Sequence, residues 1–345
     1  MANRTNLWER HQNKRAQAKK ERAKKRHFHK ETEKLFDWEA TNQEVEGAHI
    51  GIIAGTERNL FTVMEHDMYF ACTLGPAVHP RLSQQLVVGD RVYYDKTEEN
   101  IGYILGRQER KSVIIRMRGD STRYSSAALE QHVIAANVEH AVIVAAAKNP
   151  EFHPRFIDRY LIILQNGDVE PIICINKCDL TTERHPILTF YRESGIPIVE
   201  TSVVTNEGIE LLKNTIQGKI SVLVGHSGVG KSSLVNAIIS HANVRVSEVS
   251  QKTGKGRHTT SASNLYKWGE NSYIIDTPGI RSLGIENVEK CSIRYFFTEF
   301  EKFAEHCKYR DCMHDHEPNC AVKAAVEAGE INAYRYESYL RMVRE

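Results

Sequence analysis

A glycine-rich stretch that contains a lysine and several serines has the residue types and the spacing of a phosphate-binding loop. The pattern GxxxxGK[ST] begins at Gly225, follows an apolar run and precedes a helix-like segment. Glycines let backbone amides approach phosphate oxygens, and the next helix adds the positive end of its dipole. We predict that Lys231 reaches the β- and γ-phosphates and that Ser232 ligates Mg²⁺. This phosphate loop comprises Gly225, His226, Ser227, Gly228, Val229, Gly230, Lys231, Ser232 and Ser233.

A second motif on the phosphate side is Asp276-Thr277-Pro278-Gly279, which follows the apolar run Tyr273–Ile275. A carboxylate at the end of a neighbouring strand is placed for the Mg²⁺ side of such a site, so Asp276 joins Ser232 as a predicted magnesium ligand. We expect the amide of Gly279 to contact the γ-phosphate. Alone, this tetrapeptide is a common turn, but beside a phosphate loop it indicates a nucleoside triphosphate site.

A base-reading loop is predicted at Asn176-Lys177-Cys178-Asp179, after the apolar run Pro171–Ile175. Asp179 can accept hydrogen bonds from N1–H and the exocyclic amine of guanine, whereas adenine would leave the carboxylate unpaired. We expect Lys177 to pack its stem on the base and Asn176 to tie this loop to the phosphate loop. The motif therefore predicts GTP. A P-loop kinase or ATPase is the alternative, and it predicts tighter binding of ATP than of GTP.

A weaker base-side signal is the pair Thr201 and Ser202, whose backbone amides could contact the guanine carbonyl. Val203 follows them in place of the small residue that is usual there. The order of the motifs is unusual, because in ordinary GTPases the phosphate loop precedes the base-reading loop. This order predicts the same sheet entered at a different strand, which surface termini make sterically possible. It also predicts that the segment after Gly279 transmits the nucleotide state to the C-terminal region.

A cluster of cysteines and histidines near the C-terminus has the composition of a metal site. Cys307, Cys312 and Cys320 lie within 14 residues, and histidines stand at 306, 314 and 316. Three thiolates and one imidazole suit tetrahedral Zn²⁺ and leave no open position, which is the arrangement of a structural site. Buried cysteines without a metal are the alternative interpretation.

These motifs require an α/β frame. Near-continuous apolar runs alternate with helix-like stretches from about residue 133, which predicts a parallel sheet covered on both faces. The predicted helices are Arg155–Gln165 and Leu234–Ser240. The predicted strands are Ala141–Ala147, Pro171–Ile175, Ile196–Val199, Ile220–Val224 and Tyr273–Ile275.

Before this region, short β-rich runs separated by turn residues predict a small barrel. An OB-type barrel is the first choice because such barrels bind oligonucleotides, and an SH3-like spacer is the alternative. The predicted strands are His49–Ala54, Leu60–Met64, Met68–Leu74, Arg91–Tyr94, Ile101–Leu105 and Ser112–Ile115.

The charge distribution points to a polyanionic partner. Residues 1–34 carry 12 Lys/Arg and four Asp/Glu, although the whole chain has a net charge of only +2. Such an arm is either a solvated tail or a nucleic-acid-binding segment. With 41% hydrophobic residues among 345, a mainly disordered chain is excluded. The longest apolar run, Ala141–Ala147, is too short for a membrane span, and no apolar stretch follows the basic start to form a secretory signal.

The motifs together resemble the ribosome small-subunit-dependent GTPase A family, a group of circularly permuted bacterial GTPases. The resemblance covers nearly the whole chain and also includes Gly256-Arg257-His258-Thr259-Thr260. It implies a barrel, a permuted GTPase domain and a zinc-binding tail after the basic extension that the charges indicate, and among the three candidate histidines it selects His314 as the zinc ligand. The expected parts are a basic extension (1–44), an OB-type barrel (45–120), a permuted GTPase domain (130–285) and a helical zinc-binding domain (286–345).

The residues that could carry out hydrolysis lie after the phosphate loop and beside Gly279. Ile280 stands where Ras-like enzymes have the glutamine that orients water, and an isoleucine cannot do this. The resemblance implies that His258 positions the water, and Thr259 or Thr260 could close over Mg²⁺. A solvent-facing loop histidine is the alternative for His258, and Lys252, Lys255 and Arg257 could serve RNA phosphates instead.

The resulting hypothesis is a cytoplasmic, monomeric GTPase that binds the small (30S) ribosomal subunit and its 16S rRNA. The resemblance implies that it acts late in maturation of the subunit and that the subunit stimulates hydrolysis. The alternative is a GTP-gated RNA-binding switch in which hydrolysis is incidental. GTP, Mg²⁺ and one structural Zn²⁺ are the expected ligands.

Overall fold

The computed structural model describes most of the chain in several stretches, namely residues 47–57, 59–76, 78, 85–98, 100–118, 130–239, 263–276 and 290–344. The predicted basic extension lies outside the described residues. So do His258, Thr259, Thr260 and Gly279, and the segment that follows Gly279 up to residue 289.

The N-terminal part is a closed five-stranded barrel. Its strands follow the order β1-β2-β3-β5-β4, and β4 pairs back onto β1. The β3–β5 pair is parallel and the other pairs are antiparallel. Alternate side chains along the strands, such as Phe61, Val63 and Cys72, fill the interior of the barrel. The residues of the barrel core therefore follow the period of two that strands impose on their side chains. The strands are β1 (His49–Glu57), β2 (Leu60–Glu65), β3 (Met68–Leu74), β4 (Arg91–Glu98) and β5 (Ile101–Arg107).

The predicted barrel is confirmed with five strands. The sixth predicted strand forms, but it lies outside the barrel as β6 (Val113–Arg118) and pairs with β7 (Glu130–Ala136) in a separate two-stranded sheet. This pair connects the barrel to the central sheet, because Val88 before β4 bridges to Ala135 in β7.

The central sheet has the order β10-β9-β8-β11-β13-β12 and is parallel except for β12. The five predicted strands are confirmed, and β12 is an addition that the sequence patterns did not predict. The sheet's strands are β8 (His140–Ala146), β9 (Glu170–Asn176), β10 (Ile198–Glu200), β11 (Ile220–Val224), β12 (Asn264–Gly269) and β13 (Ser272–Asp276).

Helices cover both faces of this sheet, as the apolar strands require. One face packs on α1 (Pro154–Asn166) and α2 (Ile187–Glu193), and the other on α3 (Ile209–Ile216) and α4 (Lys231–Ile239). Strand β1 of the barrel pairs with β12, so barrel and central sheet form one continuous eleven-stranded sheet. Ala54 and Met64 of the barrel also enter the core beneath α1.

The C-terminal part is helical and packs against α1. Its core gathers Phe297, Phe300, Tyr339 and Met342 with Ile162 of α1. Short 3-10 turns at Arg294–Phe296 and Thr298–Phe300 join the first helices. The helices are α5 (Lys290–Ile293), α6 (Glu301–Ala304), α7 (Ala321–Glu327) and α8 (Ala333–Arg344).

Candidate nucleotide site and metal cluster

The phosphate loop leaves the carboxyl end of β11 and enters α4 at Lys231. Gly225 has φ 140°, and a Cβ atom there would lie 2.3 Å from the Val144 carbonyl oxygen of β8. Gly230 has φ 97°, and its Cβ would lie 2.3 Å from the Asn176 amide nitrogen. Only glycine fits these two positions, because both backbone conformation and space exclude a side chain.

Two lysines lie along this loop. Lys231 Nζ donates to the carbonyl oxygens of Gly225 at 2.8 Å and His226 at 2.6 Å. Lys177 Nζ donates to the carbonyl oxygen of Gly228 at 2.7 Å and also to that of Asn149. Both ammonium groups therefore contact the backbone of the phosphate loop.

The base-reading loop is joined directly to the phosphate loop. Asn176, at the end of β9, is 2% exposed, and its Nδ2 donates to the Val229 carbonyl oxygen at 2.9 Å. Its Oδ1 accepts from Thr201 Oγ1 at 3.1 Å, so both ends of the amide are used. Lys177 has φ 61°, which turns the chain sharply after the strand. The structure thus brings the two motifs together as the sequence interpretation requires.

Asp179 stands at the open side of this loop. It lies in the 3-10 turn Cys178–Leu180, is exposed, and its Oδ1 accepts from Ser202 Oγ at 2.5 Å. Ser202 and Thr201 are themselves fully buried, and the Cys178 amide donates to the Thr201 carbonyl at 3.1 Å. Ser202 therefore fixes one oxygen of the Asp179 carboxylate, which lies at an exposed position of the loop.

Cysteines of this region are packing groups. Burial raises the pKa of the Cys174 thiol to about 12, and Cys174 Sγ lies 3.3 Å from Thr201 Oγ1. Burial also raises the pKa of Cys178, whose Sγ donates to the Ile175 carbonyl at 3.0 Å. Both thiols are protonated near neutral pH and support the loop backbone.

Asp276 is the last residue of β13 and is exposed at the same sheet edge as the phosphate loop. Strand β13 pairs in parallel with β11, so their carboxyl ends point the same way. Ser232 is the second residue of α4, in the part of the phosphate loop that is helical. A hydroxyl and a carboxylate in this placement are oxygen donors of the kind that Mg²⁺ prefers.

One residue that the sequence interpretation missed is Asn149, which follows β8 and precedes Pro150 through a cis peptide bond. Its carbonyl oxygen accepts a hydrogen bond from Lys177 Nζ. The loop after β8 is thereby linked to the site, in addition to the loops after β9 and β11. Its position after the central strand was the available signal, since loops at the carboxyl ends of parallel strands build the ligand sites of such sheets.

The second site is the C-terminal cluster of Cys307, Cys312, His314 and Cys320, whose ligand atoms all lie within 4.8 Å of one another. Cys307 Sγ lies 3.6 Å from His314 Nδ1 and 3.9 Å from Cys320 Sγ, and Cys320 Sγ lies 3.4 Å from the same nitrogen. A tetrahedron with Zn–S of about 2.3 Å and Zn–N of about 2.05 Å has S–S edges of about 3.8 Å and S–N edges of about 3.5 Å. The donor set and its spacing therefore fit zinc.

The backbone around His314 is held by an acidic residue. Glu317 accepts from the Met313 amide at 2.7 Å and from the Asp315 amide at 3.0 Å, on both sides of the histidine. His314 has φ 58° and is 2% exposed. Burial lowers the pKa of His314 to about 4, so its imidazole is neutral and free to act as a metal ligand. Neither His306 nor His316, both exposed, is in the cluster.

None of the helices in the described ranges combines the length and the apolar character needed to cross a membrane.

Comparison with known proteins gives consistent matches. Residues 107–286 match the family model described as RsgA GTPase. The small ribosomal subunit biogenesis GTPase RsgA of Geobacillus sp. (strain WCH70) is 35% identical over 305 residues, which cover 87% of this chain and 97% of that protein. The protein of the same name from Chlorobaculum parvum is 38% identical over 267 residues, with coverage of 76% and 85%.

Solved structures agree. The crystal structure of YjeQ from Thermotoga maritima is 35% identical with a TM-score of 0.65, and the match covers 86% of this chain and 98% of that one. The crystal structure of YloQ, described as a circularly permuted GTPase, is 27% identical with a TM-score of 0.64, and coverage is 88% and 97%.

Proposed function

This chain belongs to the RsgA GTPase family, and from that membership we propose that it hydrolyses GTP while bound to the small ribosomal subunit, in the cytoplasm, late in maturation of the subunit. The observation that carries the proposal is the hydrogen bond from Asn176 to Val229. It joins a guanine-type base-reading loop to a phosphate loop that comes later in the chain.

Within this site we propose the following roles. Lys231 neutralises the β- and γ-phosphates, and the amides from Gly225 to Ser233 surround them. Asp179 accepts from the guanine N1–H and amine, while Asn176, Lys177 and the backbone near Thr201 and Ser202 shape the base pocket. Ser232 and Asp276 would hold Mg²⁺, which when bound neutralises charge on the β- and γ-phosphate oxygens.

For hydrolysis we propose that His258 positions the attacking water and that Thr259 or Thr260 contributes to the Mg²⁺ side. Support comes from the sequence alone, because Ile280 cannot orient water and His258 lies in a stretch that resembles the family. The closed donor set of Cys307, Cys312, His314 and Cys320 supports one structural Zn²⁺.

The test of the function is GTP turnover by the purified protein with and without purified small subunits. Asp179→Asn is the diagnostic variant, because an amide cannot accept from both guanine donors. Asp168→Asn is its matched control, since Asp168 is an exposed carboxylate in the α1–β9 turn. We expect subunits to stimulate the native protein and the control, and GTP affinity to fall at least 10-fold in Asp179→Asn only.

The outcomes separate the alternatives. Loss of stimulation in His258→Ala supports a subunit-activated GTPase that uses this histidine, whereas retained stimulation moves the catalytic role elsewhere. Tight GTP binding without stimulation of the native protein would favour the GTP-gated RNA-binding switch. Tighter ATP than GTP binding would favour a kinase or ATPase and overturn the base-reading assignment.

The rRNA contact and the metal have their own tests. We propose that residues 1–40 bind 16S rRNA phosphates, so their deletion should weaken subunit binding and flatten its salt dependence. For zinc, elemental analysis should find one ion per chain in the native protein. It should find less in Cys312→Ser, while Cys291→Ser, at an exposed cysteine outside the cluster, keeps the ion.

A further inference from the structure

One row of residues crosses from the barrel to the nucleotide site. Gly55 of β1 is the register partner of Asn264 in β12, and Asn264 is the register partner of Asp276 in β13. A single residue of β12 therefore separates a barrel strand from the carboxylate assigned to the Mg²⁺ side of the site.

The other side of Asp276 gives it less support. Strand β11 pairs with β13 at Tyr273, Ile274 and Ile275, and within the described residues this pairing ends before Asp276. The backbone of Asp276 is thus held laterally by Asn264, so the position of its carboxylate depends on where β12 lies. An edge strand has no second neighbour of its own sheet, and here the barrel occupies that place.

The barrel holds β12 closely. Gly55 is buried, and a Cβ atom built there would lie 3.5 Å from Asn264 Oδ1 and 3.6 Å from Thr62 Oγ1. The register of β1 shifts between Ile53 and Gly55, which leaves Ala54 as a bulge next to this contact. Bulges redirect a strand. Here β1 pairs with β4 up to Ile52 and with β12 at Gly55, while its pairing with β2 continues on both sides of the bulge.

A second attachment fixes the far part of β12. Asp67, in the β2–β3 turn of the barrel, accepts a hydrogen bond from Lys267 Nζ. Lys267 is three residues from Asn264 in β12, so the strand is held by the barrel at two points. Because of these two contacts, the position of β12 relative to β13 depends on the position of the barrel.

We propose that the barrel is a positioning element for the GTPase site: β1 sets the place of Asn264, and Asn264 sets the place of the Asp276 carboxylate, so that a partner bound to the barrel alters Mg²⁺ binding. The inference rests on the proposed function only in taking Asp276 as a Mg²⁺-side ligand. Asn264 is a positioning residue, because it acts through Asp276.

The test widens the β1–β12 contact without touching the site. In Gly55→Phe a ring must enter the space before Asn264, whereas in Gly55→Ala the added carbon meets nothing closer than 3.5 Å. Binding of a fluorescent GTP analogue is measured in Mg²⁺ and in EDTA, and the ratio of the two affinities reports the magnesium site. We expect this ratio to fall at least five-fold in Gly55→Phe and to stay native in Gly55→Ala, with the EDTA affinity unchanged in both.

The ion pair provides an independent second test in case the larger variant misfolds. Asp67→Lys should lower the Mg²⁺ ratio by roughly two- to five-fold, the range of one partly exposed ion pair. The exchanged double variant Asp67→Lys with Lys267→Asp should restore the ratio, because it rebuilds the ion pair with the charges exchanged. Circular dichroism and melting temperature verify folding.

An unchanged Mg²⁺ ratio in folded Gly55→Phe, or in Asp67→Lys, would overturn the inference. The proposed function fails by a different result, namely the absence of subunit stimulation in the native protein. If both hold, subunits should bind Gly55→Phe with native affinity and stimulate it less than they stimulate Gly55→Ala.

Discussion

The buried arginine of α8 controls how the C-terminal helices are attached to the nucleotide-binding sheet. Arg335 is 6% exposed, and its Nε donates to Glu299 Oε1 at 2.7 Å. Its guanidinium also donates to Asp158 Oδ1 of α1, which is fully buried and accepts from Tyr191 at 2.7 Å. The guanidinium carbon lies 4.2 Å from the centre of the Phe297 ring. One side chain thus connects α8 to α1 and to the turn before α6.

Replacement of Arg335 by Met keeps a long unbranched chain but leaves the Asp158 carboxylate buried without its cation. Removing one partner of a buried pair costs about 3–5 kcal/mol. At about 1.36 kcal/mol for each factor of ten, local opening of α8 should become roughly 100- to 5000-fold more frequent. In Asp158→Asn with Arg335→Met no buried charge remains at position 158, and Tyr191 can still donate to the amide oxygen. We therefore expect the double variant to recover about half of the lost protection.

Amide hydrogen exchange read by mass spectrometry measures this opening locally, which suits a chain with several packed cores. Peptides from α8 should lose protection, while peptides from α4 on the far side of the sheet serve as the internal control. Native protection of α8 in Arg335→Met would refute the argument that this pair holds the helix. So would a double variant that is less protected than the single one.

Three further outcomes follow from single contacts. Asn176→Ala removes the hydrogen bond between the base-reading loop and Val229. The loss of a buried hydrogen bond costs about 1–3 kcal/mol, so GTP and GDP should bind five- to 150-fold more weakly in a fluorescence titration. Native affinity would contradict this. Glu317→Gln loosens the backbone on both sides of His314 and should lower zinc affinity about 10-fold against a chelator, and an unchanged affinity would exclude a positioning role. Burial alone would raise the pKa of Glu65, but hydrogen bonds from three neighbouring side chains outweigh it and the pKa lies below its usual 4.5. The ionised Glu65 carboxylate therefore stabilises the fold fully above pH 4.5, and this stabilisation is lost as the pH falls through the lower pKa of the folded state. The melting temperature between pH 5 and 2 should thus depend less on pH in Glu65→Gln than in the native protein. An equal pH dependence in the two proteins would oppose this.

The parts of the fold that were predictable are those set by local patterns. Strand β11 and the phosphate loop are contiguous in sequence, so an apolar run followed by a glycine-rich motif predicts both. Strand β12 was missed because Asn264–Gly269 is short, and its apolar residues Leu265, Tyr266 and Trp268 form neither a strict alternation nor a continuous run. Its pairing with Gly55 joins residues about 200 apart, and no periodicity within either segment encodes such a contact.

The metal cluster was likewise predictable from local spacing only in part. The cysteine spacing predicted three ligands, but it left His306, His314 and His316 as rivals until the resemblance selected one. The structure supplies the physical reason, because the left-handed backbone at His314 turns its ring inward and Glu317 holds both neighbouring amides. The sequence alone does not state backbone dihedral angles, so the burial of His314 and the exposure of its rivals required coordinates.

Helix α1 lies between the phosphate loop and the C-terminal helices and contacts both. At its start, the Phe156 ring lies 5.2 Å from the His226 ring of the phosphate loop, and the Tyr160 hydroxyl is hydrogen-bonded to the Gly225 backbone. In the same helix, Asp158 accepts a hydrogen bond from Arg335 of α8, and Ile162 packs in the core of the C-terminal helices. The predicted transmission through the segment after Gly279 lies outside the described residues and stays a prediction. Helix α1 therefore contacts both the phosphate loop and the C-terminal helices, and these contacts do not involve the segment after Gly279.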